Sequence, residues 1–261
     1  MTLRLETDGA VARLLIDRSQ KRNSMSLAMW EALPELLTDA CENPEIGVIE
    51  LTAADRNSAF CAGADIGEML AHRDDPQWLS RKQSAINRAQ YELARCPLPT
   101  VAFVNGDCIG GGCGLAMACD MRIAVPTARF GITPAKLGLV YPLHDVKLLI
   151  DLVGPGQARR LLYTGALIDA TEARRIGLAE MIADNSDSLI AGIVAGSPYS
   201  QSQAKRFVQL ALDGQSVDDE ATLDAFAKAF AAADFTEGAN AFIDKRKPRF
   251  GRAASQTGKT E

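Results

Sequence analysis

Histidine is nearly missing from this chain: His72 and His144 are the two present in 261 residues. The six cysteines, Cys41, Cys61, Cys96, Cys108, Cys113 and Cys119, form no C-x-x-C pair. With so few partners the pattern argues against a zinc site, no metal is expected, and buried reduced thiols are the default. No apolar run reaches the length of a membrane span, and the N-terminus alternates like a strand instead of carrying a signal-peptide core, so the expectation is a cytoplasmic protein. A basic block is also missing before the short tail. With a net charge of −5 this argues against nucleic acid as a partner. No Gly-x-Ser-x-Gly occurs, which disfavours a serine hydrolase.

What is present is 47% hydrophobic residues with 23% charged, enough for one globular domain with a sizeable core. The chain turns on Asn105-Gly106-Asp107-Cys108-Ile109-Gly110-Gly111-Gly112-Cys113-Gly114. An apolar run, Thr100 to Val104, precedes it and reads as a buried strand; Leu115 to Ala118 follows and reads as a buried helix. A strand, glycine-rich turn and helix aim free backbone N–H groups, with the positive end of the helix dipole, at whatever sits in the turn. A dinucleotide fingerprint fails because Leu115 stands where the third glycine is needed, and a P-loop fails because no lysine follows Gly111. An ordinary tight turn and an anion hole remain. A second junction, Ser58 to Ile66 after the strand-like Val48 to Thr52, could direct another peptide N–H at the same oxygen.

These paired stretches resemble the two signatures of the crotonase, or enoyl-CoA hydratase/isomerase, family, and the resemblance runs from about Leu3 to Phe250. It implies an α/β protein with a crotonase-type ββα spiral core and a C-terminal helical trimerisation subdomain. Residues 1–185 would form the acyl-CoA-binding core, 186–250 the helices and 251–261 a disordered tail. It further implies that the main-chain amides of Ala64 and Gly111 hold the thioester oxygen. Coenzyme A would enter as part of the substrate, with no separate cofactor. Its binding would involve Ala62, Asp65, Ile66 and Gly110, with Lys21 and Arg22 near phosphates. Phe242 and Lys245 would reach a CoA site, often that of a neighbouring subunit, in a homotrimer or dimer of trimers. The bland alternative for each basic residue is a solvated charge.

In chain order, Leu3 to Ile16 reads as a hairpin turning at Asp8-Gly9. Ser26 caps a helix to Ala40 in which Pro34 predicts a kink or a late start. Ile46 to Thr52 is a strand, His72 to Asp75 a solvent-exposed stretch, and Pro76 to Arg95 a helix that covers the acyl pocket or lies on the surface. Met121 to Val125 and Ala128 to Phe130 are short strands, Gly131 to Tyr141 a loop, and Asp145 to Val153 and Gly156 to Tyr163 helices. Asp169 caps a helix ending at Gly177, and Leu178 to Ala183 is a strand. Helices alone follow, at Asp187–Ala195, Pro198–Leu212, Val217–Ala232 and Phe235–Arg246. Such alternation predicts α/β layers.

Two preorganised N–H donors would supply roughly 2.7–4 kcal/mol each toward a thioester enolate. The chain departs from the hydratase pattern at the positions of that pattern's two glutamates, which are here Gly114 and Ala135. Neither side chain moves a proton. The loop Phe130 to Tyr141 instead resembles that of methylmalonyl-CoA decarboxylases, in which residues matching Thr133 and Tyr141 meet the departing carboxylate. The leading expectation is therefore a lyase that decarboxylates a malonyl-type thioester. The alternatives are an enoyl-CoA hydratase or isomerase using other residues, and a CoA-binding protein without catalysis. The bland alternative for Tyr141 is a packed side chain with its hydroxyl hydrogen-bonded. His144 and Asp145 point about 100° apart if a helix begins there, so both cannot face one substrate, and His144 is expected at the surface.

Overall fold

The computed structural model describes residues 3–251. The expected tail therefore lies outside the described residues, apart from Gly251. The elements run β1 (Leu3–Asp8), β2 (Val11–Ile16), α1 (Leu27–Glu42), β3 (Val48–Ala53), α2 (Ile66–Ala71), α3 (Pro76–Arg95), β4 (Thr100–Val104), β5 (Cys108–Ile109), α4 (Gly111–Met117), β6 (Met121–Ala124) and β7 (Arg129–Gly131). They continue with α5 (Pro134–Leu137), α6 (Leu143–Thr164), β8 (Leu167–Asp169), α7 (Ala170–Ile176), β9 (Met181–Ile182), α8 (Asp187–Val194), α9 (Pro198–Leu212), α10 (Glu220–Ala231) and α11 (Ala233–Ile243).

Six strands form one sheet in the order β1-β2-β3-β4-β6-β9. The β1–β2 hairpin is antiparallel and every later pair is parallel, with Leu14 opposite Leu51 and Val101 opposite Met121. A second sheet joins β5, β7 and β8. Successive residues of a strand face opposite ways. Val11, Val48, Val101, Phe103 and Ile123 accordingly meet Ile190 and Ile193 of α8 on one face. Ala12, Ile49, Ala102, Val104 and Ala124 enter the main core on the other. Burial on both faces is why these strands read as near-continuous apolar runs.

The sequence expectations hold for α3, β4 and the two ends of α7, where the Asp169 side chain accepts from the Glu172 amide and Gly177 closes the helix at φ 84°. Five expectations need correction. The hairpin turns at Gly9-Ala10, because Asp8 already pairs with Val11. Helix α1 starts on time and runs through Pro34 to Glu42; burial of Trp30, Leu33 and Leu37 outweighs the one missing backbone bond. The loop after β7 contains the short helix α5, with Pro134 at its first position. Leu178 and Ala179 are not strand, since both amides bond back to the Ala173 carbonyl and complete the end of α7. His72 is half-buried, its ring stacked on Trp78 at 4.7 Å, rather than solvated.

Helix α6 contains the two expected helices joined at Gly154, where φ is 72°. All six cysteines are free thiols and all but Cys41 are buried. No helix among the described residues is long and apolar enough to cross a membrane, and no cluster there could hold a metal ion.

Candidate active site

The loops that follow β3 and β4 leave the same edge of the sheet, beyond the carboxyl ends of neighbouring parallel strands. That is where open α/β sheets place their ligands. Backbone bonds tie the loops together: the Cys61 amide donates to the Asp107 carbonyl at 3.1 Å, and the Ile109 amide to the Cys61 carbonyl at 2.9 Å. The Asn105 amide nitrogen adds bonds to the carbonyls of Asp55, Arg56 and Ser58 at 3.1–3.3 Å. The contact is so close that a Cβ at Gly112 would collide with the Cys61 carbonyl oxygen, and one at Gly63 would lie 2.8 Å from the Ile109 oxygen and 3.2 Å from the Gly111 nitrogen.

This stitching brings Ala64 and Gly111 side by side. A Cβ built on Gly111 would stand 3.7 Å from the Ala64 nitrogen. Neither amide donates to another protein group among the described residues. Both residues line one cavity of about 250 Å³, and the Gly111 amide opens helix α4 into it. Two unused N–H groups at one wall can donate to a single oxygen.

Of the other residues expected from sequence, Ala62, Ile66, Gly110, Thr133 and Tyr141 line the same cavity. Tyr141 is buried, and its hydroxyl is occupied, donating to the Gly110 carbonyl at 3.0 Å. Burial, with the nearby Asp145 charge, pushes its pKa well up. The Thr133 hydroxyl has no protein partner among the described residues. Asp65 sits behind the wall, where its side chain accepts from the Glu68 amide at 3.2 Å and pairs with Arg18 at 2.8 Å. Burial raises its pKa, but the Glu68 amide and Arg18 outweigh burial and hold the carboxyl below its ordinary value.

Four expected residues lie elsewhere in the chain. Arg22 faces a separate polar pocket with Arg56 and Asp107, where it bonds the Asp107 carboxylate at 2.6 Å. Arg129 grips the same carboxylate and, with Arg22, keeps its pKa low. Lys21 is exposed, and its charge acts on Asp65. Phe242, 86% exposed, and Lys245 close α11 without lining the cavity.

Asp145 is the residue that sequence reasoning weighed beside His144 and gave no role. It lies in the first turn of α6, 2% exposed, and lines the cavity. Gln90 of α3 donates to its Oδ1 at 2.8 Å. A Cβ at Gly114 would collide with that oxygen and stand 2.6 Å from the Gln90 amide nitrogen. Gly114 is one helical turn beyond Gly111, on the same face of α4. A carboxyl group from α6 thus fills the space that a side chain at position 114 would need. Burial pushes its pKa up to about 6, against the opposing bond from Gln90. Ala135, the other position without a carboxylate, is exposed, and Pro134 lines the cavity instead. The one signal available was that a helix start at this point lets a single member of the His144–Asp145 pair face inward. His144 is half-buried rather than at the surface and does not line the cavity. Burial, then the Arg95 charge, lowers its pKa.

A family model described as enoyl-CoA hydratase/isomerase matches residues 6–253. The chain is 34% identical to a crotonyl-CoA hydratase of Syntrophomonas wolfei, over 94% of this chain and 96% of that one. It is 33% identical to a short-chain-enoyl-CoA hydratase of Clostridium acetobutylicum, over 93% and 95%. An enoyl-CoA hydratase/isomerase family structure from Hyphomonas neptunium superposes with a TM-score of 0.90 at 34% identity, covering 96% of this chain and 97% of that one.

Proposed function

The chain belongs to the enoyl-CoA hydratase/isomerase family, and from that premise we propose an acyl-CoA enzyme that works through a thioester enolate. In this reading the amides of Ala64 and Gly111 donate to the thioester oxygen as it gains charge, and Asp145 moves the proton. The carboxylate of Asp145 takes a proton from the acyl chain, the electron pair shifts onto the oxygen, and the acid form returns the proton to carbon or to a leaving hydroxyl. A carboxyl titrating near 6 suits both directions. The observation that carries the proposal is the cavity itself, which holds two unused amides beside one buried carboxyl. The Asp145 carboxyl also shifts the balance from decarboxylation toward enoyl-CoA hydration or isomerisation, the chemistry named for the relatives.

The test is exchange of acyl protons in deuterated water, followed by mass, with butyryl-CoA and crotonyl-CoA. Exchange or hydration that disappears in Asp145→Asn is expected. Tight binding with no exchange or turnover would instead favour a CoA-binding protein without catalysis.

Decarboxylation of a malonyl-type thioester stands as the second reading, favoured by the unpartnered Thr133 hydroxyl in the cavity. CO₂ would leave, and the acid form of Asp145 would protonate the enolate. Release of CO₂ from methylmalonyl-CoA, faster than hydration of crotonyl-CoA, would select it. Hydration that survives Tyr141→Phe would count against it, and is the expected result, since that hydroxyl is spent on Gly110.

We also propose assembly as a homotrimer or dimer of trimers, with Phe242 and Lys245 serving a neighbouring subunit. Its support is the apolar outer face of α10 and α11, where Phe226, Phe230 and Phe235 stack edge to face at 5.3–5.4 Å and stay exposed. Light scattering on a sizing column is expected to give three or six chains. Phe230→Glu is expected to give monomers, and a monomeric wild type would refute the assembly.

A further inference from the structure

A second ionisable residue besides Asp145 belongs to the cavity wall. Lys82 of α3 lines the cavity with Trp30, Ile66, Met69 and Leu79, and is 5% exposed. Its ammonium is shut off from solvent and has no hydrogen-bond partner. The nearest carboxylate, Glu68, lies at 3.8 Å, an ion pair too long for a hydrogen bond. Both Glu68 oxygens already accept from the Leu27 amide, at 3.1 and 3.3 Å. The remaining contact is the Trp78 ring, 4.7 Å from the ammonium.

A buried ammonium with its donors unused is costly. Burial lowers its pKa, while Glu68 and Asp65 act to keep the charge. Position matters as much as charge. Lys82 and Gln90 lie on one face of α3, two turns or about 12 Å apart along its axis. Gln90 holds the proposed acid–base residue, Asp145. Lys82 therefore stands on the cavity wall away from Asp145, beside helix α2, which follows the Ala64 loop. An all-alkyl chain would bring methylene groups against an ammonium that lacks donors' partners, whereas a chain ending in oxygen would supply them.

We infer that Lys82 is a specificity residue for acyl-CoA thioesters whose chain ends in a carboxylate. This rests on the acyl-CoA reading of the cavity. Hexanoyl-CoA and adipyl-CoA form the matched probe pair: both have six-carbon chains, ending in a methyl group and a carboxylate. Wild-type protein is expected to bind adipyl-CoA at least tenfold more tightly than hexanoyl-CoA in calorimetry. Lys82→Met is expected to remove most of that preference by weakening adipyl-CoA alone, and Lys82→Arg to retain it. Equal binding of the two ligands by the wild type, which needs no variant, overturns the inference while leaving the acyl-CoA reading intact. A preference that survives Lys82→Met does the same. Binding of neither ligand overturns both.

Discussion

Replacement of Asp145 by Asn is expected to lower turnover by roughly 10²–10⁴-fold, the usual worth of a positioned acid or base, and at the same time to stabilise the protein at alkaline pH. The second effect follows from the sign of the pKa shift. Burial holds the native carboxyl near pH 6, whereas an unfolded aspartate titrates near 3.9. Between those values the native state binds the proton that the unfolded state has released. The stability associated with this group is complete below about pH 4 and is lost as pH rises through 6. A difference of about two pKa units corresponds to about 3 kcal/mol. Asn carries no charge to desolvate and can still accept from Gln90. Urea unfolding at pH 8 should find the variant more stable by about 2–3 kcal/mol, and at pH 4 the two proteins should coincide. In the wild type, kcat/KM should fall with unit slope below pH 6 wherever the carboxylate form acts. A variant that keeps its activity, or that is destabilised equally at both pH values, would remove Asp145 from the mechanism.

Gly63→Ala is expected to damage the other half of the site. The new Cβ would lie 2.8 Å from the Ile109 oxygen and 3.2 Å from the Gly111 nitrogen, and φ at this residue is 94°. Ile109 belongs to the strand whose backbone bonds hold the two loops together. Relief of the clash must separate the segments that carry the Ala64 and Gly111 amides. Loss of one oxyanion donor costs roughly 10²–10³-fold in kcat, and a left-handed alanine adds about 1–2 kcal/mol of strain. The expected result is a folded protein with reduced thermal stability and a kcat down by about 10²-fold or more, with the KM for crotonyl-CoA much less affected. Gly138→Ala is the control. That glycine also has positive φ but nothing within 4 Å of its Cβ position, so it should show the strain without the catalytic loss. Equal kcat values in the two variants would refute the oxyanion assignment.

Local pattern carried much of this. Helix α3 and strand β4 lie where apolar periodicity placed them, because each buries one face or both in the core and the pattern records that burial. The cap of α7 was legible because Asp169, Glu172 and Gly177 act on backbone groups a few residues away. Short elements were less legible. Pairing across β6 and β9 involves two residues of β9, and the rest of the stretch was claimed by the end of α7.

Read alone, the chain of residues determined that two strand-to-loop junctions, one of them rich in glycine, would present free amides, and that no carboxylate could come from positions 114 or 135. Tertiary structure alone decided that a carboxyl group arrives there all the same. Asp145 is 31 positions beyond Gly114 in the sequence, and Gln90, which holds it, is 24 before. Neither separation carries a local signal. Their meeting depends on how α3 and α6 pack over α4, and on the missing Cβ of Gly114 that leaves room for the carboxyl between them.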